Sequence, residues 1–354
     1  MSEKTLSALF FEPEQLAIEV EARGGRPFHV KILREQVLAN GVLKYSEMTS
    51  LPAGLRDSLA ESIPILSCKE IDRTVARDNT TKLLLGFPSN GEGEAWNSVE
   101  TVHIPPLRKR SEAGATLCVS TQVGCAVACP FCASGRAGLV RNLAAHEILE
   151  QYLVGRSLGR IARSVVMGIG EPLHNFQATD AALRLVHEEF GLGARKIILS
   201  TVGFPDKVRR AADTKPPYQL AISLHTPYDE QRDELVPAMK GTPIEDVLNA
   251  GDYWFEQTGR EITYEYVLLG GTNDTPNHAE ELAQRLAGRR CGVNLIPFNP
   301  VRESGFGRPN TDDAEGFREH LEDQGIVATI RWSRGLESDA ACGQLRLHKG
   351  VAPA

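Results

Sequence analysis

TLCVSTQVGCAVACPFCASG, residues 116–135, joins a short β-rich run to a loop that carries Cys125, Cys129 and Cys132 within eight positions. Five further runs of the same kind follow: SVVMG (164–168), KIILST (196–201), QLAISL (219–224), ITYEYVLL (262–269) and VNLIPF (293–298). Nearly continuous apolar strands separated by amphipathic helical patterns predict a parallel sheet buried on both faces. Two of the intervening helices have readable starts. Asn142 reads as the cap of a stripe of Ile148, Leu149, Tyr152 and Leu153, and Thr275-Pro276 opens one of Ala279, Leu282, Ala283 and Leu286. Six βα units in series fit both a partly closed barrel and an open, doubly wound sheet. In either arrangement the loop after the first strand lies at the carboxyl end of the sheet, where α/β proteins place their ligands.

A seventh strand-like segment, IVATIRW (326–332), precedes the irregular tail SRGLESDAACGQL. The N-terminal part differs, with helical patterns such as ILREQVLANGVL and GLRDSLAESI. These predict a small helical accessory domain over 1–85, a linker with a β extension over 86–110, and a core with a C-terminal tail over 111–347. The Gly- and Asn-containing stretch FPSNGEGEAWNS (87–98) reads as a loop or hairpin tip.

Composition bounds the function classes. With 42% hydrophobic and 24% charged residues, the 354-residue chain has the balance of a soluble globular protein. No stretch approaches the ~20 apolar residues that span a bilayer, so a cytoplasmic protein without a membrane partner is expected. The net charge of −7 argues against non-specific coating of nucleic acid but leaves room for a local basic groove. Basic clusters stand at Arg108-Lys109-Arg110, at Arg136 and Arg141, at Arg195-Lys196, and at Lys207, Arg209 and Arg210. Each, taken alone, reads as a solvated face.

Cytosolic thiols stay reduced, so clustered cysteines there point to metal binding or catalysis before disulfides, and the odd total of seven agrees. Zinc sites usually close the metal with four ligands from CxxC pairs, whereas this loop offers three thiols and no fourth ligand nearby; the nearest histidines are His103 and His146. An iron–sulfur cube held by three thiolates leaves one iron open to bind a substrate or cofactor.

The CxxxCxxC spacing, with aromatic Phe131 before the last cysteine, resembles the radical S-adenosylmethionine (SAM) superfamily. The resemblance implies a partial (β/α)6 TIM-like barrel of the α/β class and a [4Fe–4S] cluster on Cys125, Cys129 and Cys132. It also implies that the open iron chelates SAM, whose reductive cleavage yields a 5′-deoxyadenosyl radical. TLCVSTQVGCAVACPFC, VVMGIGEPLHN, LSTVG, AISLHTPYDEQRDELVPA, NLIPFNP and DAACGQL, in this order, resemble the adenosine methyltransferases of 23S rRNA, the RlmN/Cfr type. MTSLPAGLRDSL resembles, less closely, that family's accessory domain, which is linked to RNA binding.

This second resemblance implies the rest of the site. Cys342 is methylated by one SAM, and its methyl loses a hydrogen to the radical made from a second. The carbon then adds to an adenine, and Cys118 attacks Cys342 to release product with a transient disulfide. Glu100 matches a proton acceptor. Gly170 and Glu171, Ser200, Ser223, Leu224 and His225, and Asn299 match SAM contacts. Cys68 and Cys291 match no catalytic position and read as packing cysteines. The expected substrate is C2 of an adenosine in the peptidyl transferase centre of 23S rRNA in protein-poor or assembling form, with the tRNA adenosine 3′ of the anticodon as a second target. A flavodoxin-like or ferredoxin-like protein would donate electrons. The C8-methylating, antibiotic-resistance branch and a non-catalytic iron–sulfur RNA-binding or assembly factor are the alternatives. Trp332 and the pair Glu337-Ser338 depart from the family's pattern beside Cys342, which bears on substrate choice.

Overall fold

The computed structural model describes residues 7–89, 96–106, 113–301, 304–346 and 348. Helices α1 (Pro13–Ala22), α2 (Phe28–Arg34, continued by a wider turn over Glu35–Ala39) and α3 (Ala53–Ser62) come first. Strands β1 (Lys69–Val75), β2 (Thr81–Pro88) and β3 (Trp96–Ile104) follow. Then come β4 (Ala115–Cys118), the hairpin β5 (Gln122–Gly124) and β6 (Leu139–Asn142), and α4 (Ala145–Ser157). The chain continues as β7 (Ile161–Val166), α5 (Phe176–Glu188), β8 (Ile197–Thr201), α6 (Pro205–Asp213) and β9 (Gln219–Ser223). It ends through α7 (Asp229–Leu235), α8 (Ile244–Thr258), β10 (Ile262–Leu268), α9 (Pro276–Leu286), β11 (Cys291–Pro297), α10 (Thr311–Asp323) and β12 (Val327–Ile330).

Ten strands form one sheet in the order β1-β2-β3-β4-β7-β8-β9-β10-β11-β12. From β4 to β12 every neighbouring pair is parallel. The two architectures left open by the sequence are separated by this order. Strands added one after another in a single direction, each through a right-handed crossover, put every connecting helix on the same face. A doubly wound sheet reverses direction midway; this one does not, so it curls as an open barrel with helices outside and a free concave face inside.

The outer layer is apolar. Tyr264 and Tyr266 of β10 are fully buried toward the helices, where Tyr266 packs on Phe317 of α10 with ring centroids 5.2 Å apart. Each such side chain contributes roughly 1.5–3 kcal/mol by leaving water. Among the described residues, no helix is long and apolar enough to cross a membrane.

Two expectations are corrected. The N-terminal segment is helical only to Ser62, and β1 to β3 then extend the barrel sheet antiparallel on the β4 edge. Asn142 does not cap α4. It ends β6, where its side chain accepts a hydrogen bond from Gln122 Nε2 (2.7 Å), and the helix starts at Ala145 with Glu147 accepting the Ala144 N–H (2.8 Å). The expected opening at Thr275-Pro276 holds, with Pro276 the first residue of α9. The 87–98 stretch falls partly, and Arg108-Lys109-Arg110 wholly, outside the described residues.

Candidate active site

The polypeptide leaves β4 at Cys118 and enters the cysteine loop through the β5–β6 hairpin. Gly124 must be glycine there: its φ is +80° and a Cβ would lie 2.0 Å from the Gly138 carbonyl oxygen. Cys125, Cys129 and Cys132 line one cavity at the carboxyl ends of the strands. Burial pushes the Cys125 thiol up to about 11, although the amides of Val127 and Gly170 pull it back. Cys129 is raised by burial and by the neighbouring thiols of Cys132 and Cys125.

The charge opposite these thiols comes from Arg232 of α7. It is 1% exposed, its Nη2 donates to the Val202 (2.7 Å) and Ser223 (3.3 Å) carbonyls, and among the described residues Nε and Nη1 have no hydrogen-bond partner. Burial lowers it to about 10 while the Cys129 charge supports it. Three thiols facing one cavity beside a buried guanidinium are a donor set that fits an anionic iron–sulfur group. Among the described residues, no three His, Cys, Asp or Glu side chains are already gathered into a metal-holding group.

Of the expected SAM contacts, Gly170, Glu171, Ser200, Ser223, His225 and Asn299 line the same cavity. Gly170 has φ +114°, and a Cβ would meet the Gln122 side chain at 2.7 Å. The Glu171 carboxylate is already filled, accepting from Thr201 Oγ1 (2.6 Å), Val202 N (2.9 Å) and Leu173 N (2.9 Å). It ties the ends of β7 and β8 together. His225 is fully buried in a left-handed backbone conformation, and its Nδ1 accepts the Val267 N–H at 3.1 Å. Burial and Arg232 hold its pKa near 3, so it is a neutral imidazole with its proton on Nε2. Leu224 is in the core, outside the cavity wall, and its amide donates to the Glu265 carbonyl (2.9 Å).

The tail after β12 crosses the mouth of the barrel. Asn299 Nδ2 donates to the Cys342 carbonyl (2.9 Å), Ala133 N to Gly343 O (2.8 Å), Ser134 Oγ to Leu345 O (2.7 Å) and Gln344 Nε2 to Pro300 O (3.0 Å). These bonds seat Cys342 in the wall of the cysteine cavity and of a second one. The second cavity is lined by Cys118 together with Arg163, Arg195, Lys196, Arg331, Arg334 and Trp332. Two residues 224 positions apart thus face one space. All seven cysteines are free thiols. Burial pushes Cys118 up to about 11 and Cys342 up to about 12, and in both cases Arg331 pulls the value back. Arg195-Lys196, read as a solvated face, is part of this cavity wall.

Glu100 stands on β3, two residues from Val102, the register partner of Cys118, so it shares that face. Its carboxylate lies elsewhere: Lys82 Nζ is 2.9 Å from Oε1, His348 Nε2 is 3.2 Å from Oε1, and Arg346 N donates to Oε2 at 2.7 Å. It does not line the cavity of Cys118 and Cys342. Glu337 and Ser338 also face away. Glu337 accepts the Arg77 N–H (2.5 Å), and Ser338 donates to Gly335 O (3.0 Å), which leaves Trp332 as the divergent residue at the cavity.

Known proteins were compared with this arrangement in sequence and in structure. Residues 119–286 match the Radical SAM superfamily. A probable dual-specificity RNA methyltransferase RlmN from Parasynechococcus marenigrum is 43% identical over 92% of this chain and 94% of its own length. The chain belongs to this RlmN family. The RlmN relative from Thermosynechococcus vestitus is 42% identical over 96% of this chain and 97% of its own. The crystal structure of a radical SAM methyltransferase from Sphaerobacter thermophilus superposes with a TM-score of 0.86 and 38% identity, covering 96% of this chain and 99% of that one. Membership in the radical SAM superfamily implies an iron–sulfur cluster and SAM as cofactors.

The sequence reading missed Arg232, Arg331 and Glu265. Glu265, buried in β10, lines both cavities, and a lone carboxylate in the apolar run ITYEYVLL was the signal for it.

Proposed function

We propose that this radical SAM RNA methyltransferase methylates C2 of an adenosine in the peptidyl transferase centre of 23S rRNA, with the tRNA adenosine 3′ of the anticodon as a second substrate. The observation that carries this reading is the place of Cys342, in the wall between a cavity lined by three thiols and a basic cavity that also holds Cys118. A carrier that must meet a radical source on one side and a nucleobase on the other belongs at that boundary.

Cys125, Cys129 and Cys132 would hold a [4Fe–4S] cluster, reduced through a flavodoxin-like or ferredoxin-like donor. When bound, the cluster and SAM supply one-electron cleavage of the cofactor and with it a hydrogen-abstracting radical. The residues of the chain do the rest. Cys342 carries a methyl group on sulfur, and loss of one hydrogen lets that carbon bond to adenine C2. One electron of that adduct would return to the cluster as its C2 proton leaves; Cys118 then attacks the Cys342 sulfur, the S–S bond forms as the S–C bond breaks, and the carbon keeps the electron pair and takes up a proton as the methylated base leaves. Glu100 would take the C2 proton once the tail contacts through Arg346 and His348 open.

The basic wall suits a splayed RNA loop. Arg163, Arg195, Lys196 and Arg331 would face the phosphates, Arg334 being tied to Asp78, and Trp332, 43% exposed at the rim, offers a stacking plane. The adenosine has to leave its stack to reach Cys342.

Mass spectrometry of rRNA and tRNA nucleosides from cells with and without the gene tests the reading. We expect 2-methyladenosine to disappear on deletion and to return with the wild-type gene but not with Cys342→Ala. Restoration by Cys342→Ala overturns the carrier role, and a change in 8-methyladenosine instead overturns the regiochemistry.

A further inference from the structure

On the concave face of the barrel a polar row crosses four strands. Ser223 of β9, Glu265 of β10, Asn294 of β11 and Thr329 of β12 are register partners. Asn294 Nδ2 donates to Glu265 Oε2 at 2.7 Å, and Thr329 Oγ1 donates to Asn294 Oδ1 at 3.2 Å. Among the described residues, Glu265 Oε1 takes no hydrogen bond, although the residue is only 4% exposed. This oxygen is not one of the fully buried, unpartnered atoms: the residue lines both cavities, so the oxygen is open to a ligand there.

Its position says what the free oxygen is for. Five residues line both cavities: Met167, Glu265, Ile296, Cys342 and Leu345. Three are apolar. Only Cys342 and Glu265 bring chemistry to the shared wall, so a base whose carbon reaches Cys342 has its adjoining edge at Glu265. C2 of adenine is flanked by N1 and N3, both hydrogen-bond acceptors, and an acceptor at that edge calls for a donor.

We propose, on the basis of the adenine-C2 reading above, that Glu265 is a catalytic residue: its free oxygen carries a proton and donates a hydrogen bond to a ring nitrogen beside C2. The bond withdraws electron density from C2 and makes it a better target for the carbon carried on Cys342; no covalent bond of Glu265 is made or broken. Burial raises the carboxyl to about 7 against the opposing pull of Arg331 and Asn294, so the proton is present below that pH and lost above it.

The other groups facing this space are Cys118 from β4, Arg163 from β7, Arg195 and Lys196 before β8, His225 after β9, Arg331 and Arg334 after β12, and Cys342 in the tail, with Cys125, Cys129, Cys132 and Glu171 around the adjoining cavity. Cys118 and Cys342 are held near 11 and 12 and His225 near 3, far from neutrality.

The test uses reconstituted wild-type enzyme, Glu265→Leu, which has no donor, and Glu265→Gln, which keeps a neutral donor, with RNA carrying adenine, 1-deazaadenine or 3-deazaadenine at the target. Methylation of Cys342 is read by peptide mass spectrometry, methyl transfer by nucleoside analysis, and binding without turnover by fluorescence anisotropy. We expect Glu265→Leu to retain methylated Cys342 and to slow RNA methylation by about 10²-fold, and Glu265→Gln to recover part of that loss because its amide N–H can donate in place of the acid. The wild-type rate should fall as pH rises through about 7, and Glu265→Gln should lack that limb. One deaza base should weaken wild-type binding and turnover and add no penalty in Glu265→Leu, which also assigns N1 or N3. Wild-type transfer rates in Glu265→Leu, loss of Cys342 methylation, or equal deaza penalties in wild type and Glu265→Leu overturn the proposal. If wild-type enzyme leaves adenine C2 unmodified, the underlying reading fails, and the Glu265 role with it.

Discussion

Ser134→Ala isolates the seating of Cys342 from the chemistry around it. The Ser134 hydroxyl, 5% exposed, donates to the Leu345 carbonyl at 2.7 Å and joins the cysteine loop to the tail three residues past Cys342. Removing it leaves a buried carbonyl without its donor, which costs about 1–3 kcal/mol. That loss falls on the tail-seated state alone, because the barrel strands do not use this bond. Opening of the tail therefore becomes about 5- to 150-fold more frequent. Amide hydrogen exchange reads this directly: peptides over 340–346, whose Ala340, Gln344 and Arg346 N–H groups are bonded in the seated tail, should exchange faster by that factor. Peptides over β8 and β9 should not change, and RNA methyl transfer should fall with the seated fraction. Unchanged exchange in the tail, or equal acceleration in the barrel strands, would refute the seating argument.

Two further expectations rest on separate contacts. Lys82→Met strips the cation from a buried pair whose side chains are 10% and 1% exposed, at a cost of about 3–5 kcal/mol near neutral pH by denaturant unfolding. Burial pushes the Glu100 carboxyl up, but His348, Lys82 and the Arg346 amide outweigh it and hold its pKa below the ordinary value. Its stabilisation is therefore present above the ordinary carboxylate range and lost as pH falls through the lower folded value, so the penalty of Lys82→Met should shrink toward acid; a constant penalty would contradict this. Gly124→Ala adds a Cβ 2.0 Å from Gly138 O on a left-handed backbone, at about 1–2 kcal/mol for the backbone alone. The hairpin that presents Cys125 must shift, and iron bound per chain should drop; full iron loading with an unchanged thermal midpoint would contradict it.

The barrel strands were legible because each is a nearly continuous apolar run, a pattern that only a sheet covered on both faces tolerates. The antiparallel strands beside them were not. Lys69–Val75 is largely exposed along its length and offers no apolar period to read. Asn142 was misread because a capping residue near an amphipathic run satisfies the local rule, while its real partner, Gln122, is 20 positions away. The cysteine loop and Cys342 were legible as motifs. What the motifs did not contain was direction: Glu171 turns its carboxylate into the scaffold, Leu224 offers only backbone, Asn299 holds the Cys342 carbonyl, and Glu100 faces Lys82. Those orientations are set by contacts across 18 to 248 residues, which local pattern does not encode.

The same tail both seats Cys342 and fills the carboxylate of Glu100. With Arg346 N on Oε2, and Lys82 and His348 on Oε1, Glu100 sits in a cage of donors that favours its ionised form and keeps it from the cavity. A base in that cage has lost the proton affinity that abstraction needs, and its path to the substrate is covered by residues 346 and 348. Seating the carrier cysteine and using Glu100 as base are therefore competing positions of one segment. The bond that releases Glu100 lies only four residues beyond Cys342, so the tail can give up Arg346 and His348 while Asn299 and Ser134 still hold Cys342 and Leu345. With the roles proposed for Cys342 and Glu100, these contacts give an order: the carrier is held first, and the base is freed by opening the distal end of the tail.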